Sequence, residues 1–380
     1  MLFRGGRKDF LYASSILTGT IVGVGVFGIP FSFAKAGFLT GFLFLVFIGA
    51  VSLLINLIFG EVVLRTKEMH QFTGYAKIYL GQGAKIIATL AWFIGIYGAL
   101  LAYIIISGSF LFNIFVSQFY ASPAFYSALF FIFASLAVLA GLRTVVWFEF
   151  FMVIFFMVIV LLILILSAPK IELQNLITLF NREFWFLPYG VLLFAYAGFS
   201  AIPIQKEIIK GRPDLLKKAI LWGSLIPAIL YFVFTLSVVG ISGETTSPDV
   251  VSGLADFLDY RIIFLVSIFG LLAITTSFLA LALVLAETFR LDYGFKKLNS
   301  WALTVFVPFF LFWFGVRNFI EVISLAGSVA IGIEGIILVS IYKSARKSGT
   351  RDPEYSLNLP PWLLNIVLIL FAAGAVYTIF

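Results

Sequence analysis

Apolar runs long enough to cross a bilayer follow one another along almost the whole chain, separated by short polar segments. A spanning helix needs roughly 20 apolar residues. The pattern predicts eleven spans, at roughly 10–36, 38–64, 84–118, 124–142, 145–168, 184–209, 216–241, 261–289, 300–316, 319–342 and 361–379. The longest segments between them, around 65–83, 169–183 and 242–260, leave no room for a large soluble domain. The expected fold class is an all-α polytopic membrane protein.

Two of these spans carry interruptions. The first reads TGTIVGVGVFGIP, with Gly19, Gly23, Gly25 and Gly28 in its middle and Pro30 after them. Each Gly costs about 1 kcal/mol against Ala in a helix interior, so continuous helix is not expected across Val22–Val26. The sixth span reads YAGFSAIP, with Gly198 and Pro203. Both fit G-x-x-x-I-P, from Gly25 to Pro30 and from Gly198 to Pro203. They open two five-span units, 1–168 and 184–342, with 361–379 as an additional span. Five is odd, so the second unit enters the membrane from the opposite side. Matched interruptions of inverted repeats point to a binding site, whereas a lone Gly-rich face would only let helices approach closely.

Backbone chemistry narrows the ligand. A half-helix beginning near Gly25 directs free amides and a positive dipole end into the cavity, which suits a carboxylate. The half-helices ending near Val22 and Tyr196 leave free carbonyls, which suit an ammonium group or a cation. Ile21, Gly23, Val24 and Gly25, together with Tyr196, Ala197, Gly198 and Phe199, are therefore candidate substrate-binding positions. They carry no charged side chain, so a neutral apolar or aromatic amino acid fits best.

Composition excludes several other classes. Only 11% of the 380 residues are charged, against about 25% in soluble domains. With no Cys, and His70 as the single His, disulfides, thiolate metal sites, His clusters and Ser-His-Asp triads lack their parts. No cofactor is expected beyond Na⁺ or H⁺ as coupling ion. The net charge of +7 reflects topology rather than nucleic acid. With the N-terminus in the cytoplasm, 20 of the 25 Lys and Arg fall on inner segments and 5 on outer ones. That bias predicts a cell-membrane protein with its N-terminus inside and its C-terminus outside, a monomer or weak oligomer in the lipid bilayer.

Five segments resemble the amino acid/auxin permease family of the amino acid–polyamine–organocation superfamily. They are TGTIVGVGVFGIPFSFAKAGF, EVVLRTKEMHQFTGYAKIYLG, YGALLAY, LLFAYAGFSAIP and TTSFLALALVLAETF, in that order. The resemblance implies amino acid uptake driven by Na⁺ or H⁺. It also implies the inverted-repeat fold of the bacterial sodium-coupled leucine transporter. By the same resemblance Gly19 and Val22 supply carbonyls to a cation site. Ala273 supplies a third carbonyl, and Thr276 and Ser277 two hydroxyls, from one helix face. A second cation site would need an amide side chain where Val26 stands. Tyr97 or Tyr103 of the third span is implied to bond the substrate carboxylate, and the residues do not separate the two.

Carboxylates at membrane depth are functional candidates. Glu334 inside the tenth span is the first candidate for the coupled proton, and Glu149 near the start of the fifth is the second. Glu61, Glu207, Glu287 and Arg290 lie near inner helix ends and are expected in gate or loop ion pairs. The leading reading is a cation-coupled symporter of neutral amino acids working by alternating access, and not an enzyme. Beside it stand a proton-coupled permease for another small zwitterion and a channel or amino acid sensor on the same fold. A channel calls for a filter or charge ring, and a sensor for a sizeable soluble extension.

Overall fold

The computed structural model describes residues 6–140 and 145–379, and among them every regular element is helical. The Glu149 side chain lies outside the described residues, as does Arg143. The first interrupted span forms α1 (Gly6–Ile21) and α2 (Gly25–Ala36), bent by 53° across Val22–Val24. It is followed by α3 (Phe38–Arg65), a short α4 (Phe72–Leu80), α5 (Gln82–Phe115), α6 (Pro123–Ala140) and α7 (Val145–Ser167). After the one-turn α8 (Gln174–Ile177), the second interrupted span forms α9 (Leu187–Ala195) and α10 (Ile202–Ile208). Then come α11 (Leu216–Ser242), the one-turn α12 (Val251–Leu254), α13 (Tyr260–Asp292) and α14 (Lys297–Trp313). The chain closes with α15 (Phe319–Leu325), α16 (Gly332–Ser348) and α17 (Pro361–Ile379).

Nine helical segments among the described residues are long and apolar enough to cross a membrane; one runs through the second break and one through the turn between α15 and α16. The bent pair α1–α2 makes a tenth, and the 17-residue apolar α14 occupies the place of the ninth predicted span. The expected count of eleven is consistent with this. The polar segment around 65–83 is more ordered than its composition suggests. It folds into α4, which buries Phe72, Tyr75, Ala76 and Tyr79 against the bundle.

The long α5 is the central post, packed against α4, α6, α13 and α14. Between α15 and α16 the helix widens into a π-helical turn at Ala326–Ile331. This turn packs on α9 at Gly190, where a Cβ on Gly327 would overlap the Gly190 backbone. At the opposite end of the interrupted span, Lys206 of α10 donates to the carbonyls of Val63 at 2.7 Å and Thr66 at 3.1 Å. These carbonyls lie at the C-terminal end of α3, which the helix dipole makes favourable for a cation. Glu61, fully buried, accepts from Arg65 at 2.9 Å and from the Leu357 amide at 2.7 Å, so its expected ion pair is formed.

Candidate substrate and ion site

Unwinding redirects the backbone hydrogen bonds of the first break. The Val22 amide reaches Thr18 at 2.8 Å, and the Gly23 amide turns to Ile21 at 2.8 Å instead of back to Gly19. Among the described residues, the Val24 and Gly25 amides make no backbone hydrogen bond. They stand at the start of α2, where the helix dipole is positive. At the second break the Tyr196 amide bonds Leu192 at 2.9 Å and the Ala197 amide Phe194 at 3.2 Å. Gly198 then leads into a 3₁₀ turn, Phe199–Ala201.

The two breaks touch each other. A Cβ on Gly25 would come within 2.7 Å of the Ala195 Cα, so only Gly lets the half-helices approach this closely. From α11, the Tyr231 hydroxyl lies 2.6 Å from the Ile21 carbonyl and 2.9 Å from the Ala195 carbonyl. Ile21 ends α1 and Ala195 ends α9.

A cavity of about 1040 Å³ runs up to both breaks. Gly19, Ile21, Gly23, Val24 and Gly25 line it from the first break, and Ala197, Gly198 and Phe199 from the second. One face of α5 supplies Trp92, Gly95, Ala99 and Tyr103, while α13 supplies Ser277 and α16 supplies Glu334. Its mouth carries Glu207, Glu287, Arg290 and Lys297. Close to the first break, Phe27 of α2 packs edge-on against Phe110 of α5 at 5.0 Å and Phe234 of α11 at 6.1 Å. All three rings are buried.

Tyr103 and Tyr97 face different ways. The Tyr103 hydroxyl stands beside the first break, 3.4 Å from where a Cβ on Gly23 would be. Tyr97 lies off the cavity and donates to the Leu303 carbonyl of α14 at 3.0 Å. Tyr196 is buried behind the break, its ring 5.2 Å from that of Tyr231. The candidate ion ligands are also divided. Gly19 and Ser277 line the cavity; Val22, Ala273 and Thr276 do not. The Thr276 hydroxyl donates to the Ala273 carbonyl at 2.9 Å and borders a separate apolar groove between α5, α6 and α13. Glu334 is 1% exposed, and its Oε2 has no hydrogen-bond partner among the described residues. Its Oε1 sits 3.6 Å from where a Cβ on Gly95 would stand.

Three cavity features escaped the sequence reading. Trp92 and Phe199 form an aromatic cluster with Phe72, at 6.0 Å and 5.4 Å from the Phe199 ring. The Tyr231 bridge joins residues 210 and 36 positions apart. The third was legible: Gly95, Ala99 and Tyr103 recur every four residues on one helix face, with small residues leaving room beside the tyrosine.

A bundle of spanning helices with a deep cavity ending on two unwound spans defines a membrane transporter. The fold is that of Mhp1, a nucleobase-cation-symport-1 family transporter, in its inward facing conformation. The TM-score is 0.67 at 13% sequence identity, over 97% of this chain and 88% of that one. The tryptophan/tyrosine permease family matches residues 7–379, and the chain belongs to that family. It is similar to glutamine transporter 2 of Aliivibrio fischeri, 23% identical over 354 residues, covering 90% of this chain and 91% of that protein. It is also similar to tyrosine-specific transport system 1 of Haemophilus influenzae, 26% identical over 378 residues, covering 93% and 92%. The protein is thus a multi-pass amino acid permease, not an enzyme, and its family is the tryptophan/tyrosine branch.

Proposed function

We propose that this permease takes up a neutral amino acid, an aromatic one by preference, by proton-coupled symport with alternating access. The observation that carries this reading is the cavity ending on the exposed backbone of both breaks. The unbonded amides of Val24 and Gly25 and the Tyr103 hydroxyl receive the substrate carboxylate. Ala197, Phe199 and Trp92 face its side chain, and they offer aromatic surface without charge. The names of the tyrosine and glutamine transporters that resemble the chain support a neutral side chain.

The proton carrier is Glu334, buried in the cavity wall with one oxygen unpartnered among the described residues. A carboxylate buried at membrane depth is costly and marks a functional position. The sodium-coupled alternative uses Gly19, Val22, Ala273, Thr276 and Ser277, and requires the Thr276 hydroxyl to leave Ala273 and turn toward Ser277. The two units 1–168 and 184–342 are inverted repeats in this reading, with their broken first spans paired at Gly25 and Ala195. The excess of Lys and Arg on the segments at the cavity mouth supports a cytoplasmic side for it, and in this reading the conformation is open inward. The Phe27–Phe110–Phe234 contact is then the closed outer gate.

Uptake of radiolabelled tyrosine, tryptophan, phenylalanine and glutamine into proteoliposomes under imposed H⁺ or Na⁺ gradients tests this. Accumulation of an aromatic amino acid under a pH gradient, abolished by a protonophore, is the expected result. No accumulation of any neutral amino acid under either gradient rejects the reading.

A further inference from the structure

Two helix ends meet at one buried hydroxyl. Ile21 ends α1 and Ala195 ends α9, so their carbonyls have lost the amides that would follow in a continuous helix. Each also carries the negative end of its helix dipole. Converging carbonyls of discontinuous helices are coordination sites for cations. Here the point between them is taken by Tyr231, fully buried, with its oxygen 2.6 Å from Ile21 and 2.9 Å from Ala195. A phenol has one proton, so it serves the two carbonyls in turn, and the Gly23 amide at 2.8 Å supports the Ile21 carbonyl meanwhile. No charged side chain among the described residues bonds either carbonyl. The Tyr196 ring packs beside that of Tyr231, with the ring centroids 5.2 Å apart.

We propose that the Tyr231 hydroxyl stands in for a bound cation between the two breaks. It is a positioning residue that clamps the end of α1 to the end of α9 through one shared proton, and it makes the two halves of the substrate site move with α11. This rests on the reading that substrate binds at the breaks. Replacing Tyr231 by Phe removes the donor and leaves two buried carbonyls facing a gap of one oxygen atom. Such unsatisfied acceptors are costly, and a small monovalent cation satisfies both.

The test compares wild type with Tyr231→Phe in proteoliposomes, with radiolabelled tyrosine, in choline chloride and in LiCl or NaCl at equal ionic strength. In choline the variant's KM is expected to rise about tenfold, the loss of roughly one buried hydrogen bond, with kcat within about twofold. LiCl or NaCl is expected to lower the variant's KM several-fold more than the wild type's. A mere packing defect gives no such cation response. A variant with the wild-type KM in choline, or one whose raised KM neither cation relieves, overturns the proposal. Thermal unfolding of the purified proteins provides an arm independent of transport. The variant should gain more in Tm from LiCl or NaCl over choline than wild type does, and an equal gain overturns the proposal even if no uptake is seen. Absence of uptake by wild type counts instead against the functional reading. Should Tyr231→Phe fail to fold, 3-fluorotyrosine at position 231 keeps the shape and strengthens the donor. A KM change of about twofold or more is then expected, and an unaltered KM overturns the proposal.

Discussion

The two breaks share the pattern G-x-x-x-I-P, yet they are built differently. The first unwinds over Val22–Val24, bends by 53° and leaves the Val24 and Gly25 amides unbonded among the described residues. The second keeps its Tyr196 and Ala197 amides bonded backward and tightens into a 3₁₀ turn at Phe199–Ala201. One therefore exposes backbone and the other presents a side chain, the Phe199 ring, against Trp92 and Phe72. A shared motif locates two breaks but not their work. In the proposed mechanism the first holds the head group and the second grips the side chain.

The largest effect expected from this contrast separates the two glycines. Gly25→Ala places a Cβ against the Ala195 backbone, whereas Gly198→Ala meets side-chain atoms of Ile21 and Leu17 and no backbone. Overpacking against backbone costs about 1–3 kcal/mol or more, so Gly25→Ala is expected to cut uptake at least about tenfold and lower Tm. Gly198→Ala should do markedly less. Equal losses in a side-by-side uptake and unfolding assay would erase the distinction.

Glu334 belongs to neither break and should act on coupling alone. Glu334→Gln is expected to lose nearly all pH-driven accumulation, while substrate exchange across the membrane keeps its KM within about twofold. Proton-driven accumulation by the variant at the wild-type level would remove Glu334 from the mechanism. Phe199→Ala tests the side-chain role of the second break. It should raise the KM for tyrosine about tenfold or less, the scale of one lost aromatic contact plus some buried area. The KM for a small neutral amino acid should move far less, and parallel shifts would contradict the division of labour. The smallest effect concerns the two tyrosines of α5. Tyr103→Phe is expected to raise KM about threefold to tenfold, while Tyr97→Phe, which loses only a bond to Leu303, should leave KM unchanged. The reverse order would place the carboxylate elsewhere.

Much of this was legible in the chain because the bilayer limits the choices. Backbone polar groups must be satisfied within helices at membrane depth, so glycine–proline interruptions in apolar runs mark special places. Both breaks fell within a few residues of the positions that Gly25 and Gly198 suggested. Contacts remote in sequence were not legible. Nothing in the run around Tyr231 announces that its hydroxyl reaches Ile21 and Ala195. The spacing of Ala273, Thr276 and Ser277 puts them on one broad helix face, but 100° per residue is enough for Ser277 to line the cavity while Thr276 borders the apolar groove. Helix α4 was hidden because its apolar face is only nine residues long, too short for a span.

The π-helical turn at Ala326–Ile331 lies just ahead of Glu334. Such a turn holds one residue more than the α-helix would use. Were that turn to relax to plain α-helix with its length kept, the register that follows would rotate by about 100°, carrying the carboxylate away from the cavity. The fold and the head-group contacts would survive. In the proposed mechanism the winding of one turn, with no side chain exchanged, thus separates a carrier that concentrates its substrate from one that only equilibrates it.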